Sequence, residues 1–84
     1  MWTGVQAVST IAANQTRLYF TWGWPAQLHV LWTAMPKTPA IGAPSLEWDV
    51  ATERANQSQC TYWITVKNVT NKSLDFEFRF AVLS

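Results

Sequence analysis

The sequence predicts an all-β fold, a small antiparallel sandwich of about six strands forming a single domain over residues 1–84, and three observations carry that reading. In Leu74 to Leu83 the residues Leu74, Phe76, Phe78, Phe80 and Val82 recur at every second position, with Asp75, Glu77 and Arg79 between them. That period puts five apolar side chains on one face of a strand and the charges on the other, whereas a helix would scatter both sets. Three phenylalanines on one face need a second apolar layer to cover them, which a sandwich or a barrel supplies. The rest of the chain is cut by turn residues into short alternating segments, with no stretch of helical period long enough to compete.

The segments follow in order. Val5 to Ile11 alternates β-branched and polar residues until Ala12-Ala13-Asn14-Gln15 breaks the pattern, giving a first strand and a turn. Thr16 to Trp22 sets Leu18, Phe20 and Trp22 on one face and Arg17, Tyr19 and Thr21 on the other. Trp22-Gly23-Trp24-Pro25-Ala26 then reads as a corner, because Pro25 has no N–H for a ladder and Gly23 relaxes the backbone. Leu28 to Met35 is apolar on both faces, as suits a central strand or one covered by a neighbouring subunit. Pro36, Pro39, Gly42 and Pro44 leave no regular structure from Pro36 to Ser45, so this stretch is a long connection that crosses between sheets or lies along an edge. Leu46 to Glu53 is a strand with Leu46, Trp48 and Val50 inward and Glu47, Asp49 and Glu53 outward, followed by a polar loop over Arg54 to Gln59. Thr61 to Val69 alternates Tyr62, Ile64 and Val66 against Trp63, Thr65 and Lys67. The turn Thr70-Asn71-Lys72-Ser73 then joins it to Leu74–Leu83 as a predicted hairpin.

This predicted hairpin, Tyr62-Trp63-Ile64-Thr65-Val66-Lys67-Asn68-Val69-Thr70 followed by Phe76-Glu77-Phe78, resembles the tyrosine-isoleucine-valine-asparagine hairpin of bacterial immunoglobulin-like accessory domains. The resemblance covers about a quarter of the chain. It implies an Ig-like sandwich serving as an adhesive or interaction module, with no fixed active site.

Composition narrows the function further. Six Lys and Arg face five Asp and Glu, and the basic residues are dispersed, so the chain lacks the basic patch that captures nucleic acid. Charged residues make up 13% of the chain, which leaves a neutral exterior suited to neutral partners. No apolar run is long enough to span a bilayer as a helix, and the start of the chain lacks the basic-then-apolar order of a signal peptide. The sequons at Asn14, Asn56, Asn68 and Asn71 fall where turns are expected, and chance matches explain them.

Chemistry-bearing residues are sparse. His29 and Cys60 are the only histidine and cysteine, so one protomer cannot assemble a several-ligand His/Cys metal site and no disulfide forms within it. No cofactor is predicted. Ser58 or Cys60 with His29 and Asp49 has neither a nucleophile elbow nor a glycine-rich oxyanion turn, which argues against an enzyme. His29 reads more simply as a half-buried structural residue, and Cys60 as a buried thiol. Glu47, Asp49 and Glu53 share a strand face, and their simplest role is solvation; beside an aromatic platform they would accept hydrogen bonds from sugar hydroxyls.

The aromatics are the sharper signal, because an interior about 10 Å thick cannot hide twelve large rings. Trp22, Trp24, Trp32 and Trp63 can form a core, line an interface between copies, or stack on a neutral ligand. The expectation is a non-catalytic, lectin-like binding module in a homo-oligomer. Trp24 and Trp63 would stack on a neutral glycan, with His29, Asp49 and Arg79 giving polar contacts. The alternative is a structural self-assembly domain with tryptophan-rich subunit interfaces, its partner a protein rather than a glycan. Insertion of Trp24 and Pro25 into a membrane surface comes next, weakened by the missing basic patch.

Overall fold

The computed structural model describes residues 1–83. It contains β1 (Trp2–Ile11), β2 (Thr16–Pro25), β3 (His29–Pro36), β4 (Leu46–Glu53), β5 (Gln59–Asn68) and β6 (Leu74–Leu83). These form two three-stranded antiparallel sheets, ordered β1-β6-β3 and β2-β5-β4. The alternation in Leu74–Leu83 gives one strand of that span, with Phe76, Phe78 and Val82 buried.

Two pairings depart from the sequence reading. β5 and β6 are not a hairpin: each is the central strand of a different sheet, and the turn between them carries the chain across the sandwich. The one pair of consecutive strands that does bond is β4–β5, across the loop where Asn56 Oδ1 accepts hydrogen bonds from the Ser58 and Gln59 amides. β3 is an edge strand rather than a central one, since β6 holds the middle of its sheet. The proline-rich connection does cross from β3 to β4, and the Lys37 amide ties its start to the Asp75 carbonyl at 2.9 Å.

The two inner faces meet in a core of Ile11, Trp32, Ala34, Leu46, Cys60, Tyr62, Ile64, Val66, Phe76 and Phe78. Edge-to-face ring contacts knit it together: Tyr19 lies 5.0 Å from Phe78, and Phe76 lies 5.0 Å from Phe78. Leu46 is buried at the start of β4, but Trp48 and Val50 on the same side are 37% and 40% exposed. β3 touches β4 only sparsely, so it leaves most of that edge strand uncovered. Trp48 is fixed by its indole N–H, which donates to the Trp32 carbonyl at 3.2 Å.

Asn68, fully buried at the end of β5, stitches three segments. Its Nδ2 lies within hydrogen-bonding distance of the carbonyls of Ile11, Ala12 and Lys72, and its Oδ1 accepts from the amide and hydroxyl of Thr70. The turn that crosses the sandwich is therefore pinned by one side chain, and the sequon at Asn68 is inaccessible to a glycan in the folded chain.

Burial pushes the Tyr62 phenol up to about 12, with the neighbouring Cys60 adding to the effect. A phenol that holds its proton more tightly when folded stabilises the fold fully below pH ~10 and loses that contribution as the pH rises towards 12. Folding stability should therefore fall as the pH rises through that window, and Tyr62→Phe should remove this slope. Urea midpoints at successive pH values check it; a slope unchanged in the variant would contradict it.

The outward aromatic face of the β2-β5-β4 sheet

β2 turns its more apolar side to water. Leu18, Phe20 and Trp22 are 60%, 58% and 73% exposed, while Tyr19 and Thr21 point inward. Across the sheet, Phe20 pairs with Trp63 and Trp63 with Ala51, while Leu18 pairs with Thr65 and Thr65 with Asp49. Pairing and strand period place Phe20, Trp63, Thr65, Asp49 and Glu53 on one outer face.

The rings on this face are held in place. Phe20 and Trp63 stack at 5.1 Å between centroids with a 32° tilt, and the Trp63 indole N–H donates to Glu53 Oε1 at 2.7 Å. Beside them lies a shallow depression of about 290 Å³ lined by Thr16, Glu47, Trp48, Asp49, Thr65 and Lys67. An aromatic strip with flanking carboxylates, hydroxyls and one ammonium can take an apolar ring face and bind the polar groups around its edge.

The five residues singled out in the sequence do not share one surface. Trp63 and Asp49 lie together on this face. Trp24 faces the core, with its ring 5.3 Å from both Trp32 and Phe80 and its N–H donated to Thr21 Oγ1 at 3.0 Å. Arg79 lies on the opposite outer face, in the β1-β6-β3 sheet, where its Nε donates to Glu77 Oε1 at 2.7 Å. It helps line a depression of about 610 Å³ with Thr3, Val5, Leu31 and Thr33. His29 is exposed at the start of β3, paired with Leu83.

A register shift between Thr21 and Trp24 explains the tryptophans. Strict alternation puts Trp22 and Trp24 on the same side, but the irregularity around Gly23, with its φ of 81°, lets Trp22 face water and Trp24 face the core. Phe20 is not among the binding residues the sequence suggests, since alternation in β2 separates its two faces without showing which one meets water. The signal available in the sequence was Tyr19 on the other side, whose hydroxyl bonds Ser9 Oγ at 3.3 Å across the sandwich.

Among the described residues, no three His, Cys, Asp or Glu side chains gather where they could hold a metal ion. No protein family, curated protein or solved structure matches this chain.

Proposed function

We propose that this chain is a non-catalytic, Ig-like binding module that takes a neutral glycan on the outer face of its β2-β5-β4 sheet. The observation that carries the reading is the inverted polarity of β2, which leaves Leu18, Phe20 and Trp22 in solvent beside the anchored Trp63. The apolar side of a pyranose stacks on Phe20, Trp22 and Trp63. Glu47 and Asp49 accept hydrogen bonds from its hydroxyls, and Lys67 and Thr65 donate to its oxygens. Trp24 supports this face from within rather than touching the ligand, and His29 and Arg79 lie too far round the fold to join it.

The test is calorimetry against neutral oligosaccharides of several linkages, chosen from a glycan array. Trp22→Ala and Trp63→Ala should each weaken binding by about tenfold to a hundredfold, the range for truncating an aromatic anchor, in protein whose circular dichroism is unchanged. An array with no neutral glycan bound, or variants that bind as well as the parent, would overturn the reading.

A further inference from the structure

We propose that the depression on the outer face of the β1-β6-β3 sheet binds a zwitterionic amino acid with an aliphatic side chain. Arg79 takes its carboxylate, Glu77 its ammonium, and Val5 and Leu31 its side chain. The site lies on the face opposite the glycan platform, and this inference does not depend on the glycan reading.

The depression follows from the strand register. β6 is the central strand, so its outward residues stand between those of β1 and β3. One row across the sheet reads Thr3, Ala81, Leu31, and the next reads Val5, Arg79, Thr33. Ala81 offers only a methyl group in the middle of its row, while Val5 and Leu31 are 52% and 58% exposed. Arg79 Nε donates to Glu77 Oε1 at 2.7 Å, and Glu77 lies on the side of Arg79 away from Ala81. The ion pair therefore leaves the apolar floor at Ala81 uncovered. The open space of about 610 Å³ is within the roughly 300–1,000 Å³ of small-molecule sites.

The charges select the ligand. Arg79 and Glu77 alone bring charge to the lining, and β1 and β3 carry no Lys, Arg, Asp or Glu. Among the described residues, neither Nη group of Arg79 nor Oε2 of Glu77 has a hydrogen-bond partner. Arg79, held at its Nε, thus keeps a planar pair of donors for a carboxylate, and Glu77 keeps an acceptor oxygen for an ammonium. A simple anion at Arg79 is repelled by Glu77, and a simple cation at Glu77 is repelled by Arg79. A zwitterion satisfies both groups at once. Its aliphatic side chain covers Val5, Leu31 and the Ala81 methyl, apolar surface that otherwise stays in water.

Calorimetry of the full chain with L-leucine tests this. The expected result is one site per chain with a Kd on the order of 0.1–1 mM. Isocaproate, which lacks the ammonium, isoamylamine, which lacks the carboxylate, and glycine, which lacks the side chain, should each bind at least tenfold more weakly. Arg79→Gln and Glu77→Gln should each weaken leucine binding at least tenfold in protein whose circular dichroism is unchanged. In the parent protein, the amide signals of Val5, Thr33, Arg79 and Ala81 should move on titration with leucine while those of Asp49 and Thr65 stay still, a readout that needs no variant. No heat and no shift up to about 20 mM leucine would overturn the proposal. So would isocaproate, isoamylamine or glycine binding as tightly as leucine, variants that bind as well as the parent, or shifts confined to the β2-β5-β4 sheet.

Discussion

Asn68→Ala should lower folding stability by about 3–5 kcal/mol, enough to unfold much of a domain of this size near body temperature. The side chain is fully buried and serves Ile11, Ala12 and Lys72 on its amide side and Thr70 on its carbonyl side. Truncation strands two or three of those groups away from water, each at about 1–3 kcal/mol. The loss concentrates at one end of the sandwich, where β1 turns into β2 and β5 crosses to β6. Urea unfolding, with Asn71→Ala in the same turn as an exposed control held within about 0.5 kcal/mol of the parent, checks it. A loss below about 1 kcal/mol for Asn68→Ala would show that the crossing does not depend on this side chain.

Trp24→Ala should cost a similar amount, about 3–5 kcal/mol, through a cavity rather than through stranded polar groups. The ring is wedged against Trp32, Phe80 and Tyr62, and none of these can collapse far, because each is itself packed between the sheets. Trp24→Phe, which keeps most of the volume, should recover more than half of the loss. Thermal melts of the three proteins give the order parent, Trp24→Phe, Trp24→Ala. An alanine variant as stable as the parent would place this ring outside the core and return it to the candidate binding residues.

Trp24 also marks the limit of what the sequence discloses. Alternation shows each strand and which residues share a face, and it places all six strands within a few residues. Where a register shift or bulge intervenes, at Gln6 in β1 and near Gly23 in β2, parity reverses; Gly23 marks the second break in the sequence without showing which way Trp24 then faces, and nothing marks the first. Pairing is hidden for a related reason. The residues Thr70 to Ser73 would serve a hairpin as well as a crossing, and the choice is made by Asn68 reaching back to Ile11 and Ala12, some 56 positions away. The β4–β5 hairpin was legible in principle, since Asn56 caps its own loop, but that signal is no stronger than in other Asn- and Ser-rich turns.

The aromatic face was half visible. Trp63, Asp49 and the carboxylate row on β4 came from the sequence, because a surplus of rings over interior volume forces some outward. Which rings go out was not visible. Leu18, Phe20 and Trp22 are exposed because β2 is an edge strand whose other side carries Tyr19, a ring already large enough to fill its place against Phe76 and Phe78.

The most direct measurement is a titration followed by nuclear magnetic resonance of the indole N–H signals, using a neutral oligosaccharide that the array selects. The face described here predicts that the Trp22 and Trp63 signals move with a common saturation curve while those of Trp24 and Trp32 stay still. Movement of the two core signals without the two surface ones, or no movement of any indole across the neutral glycans tried, would contradict it.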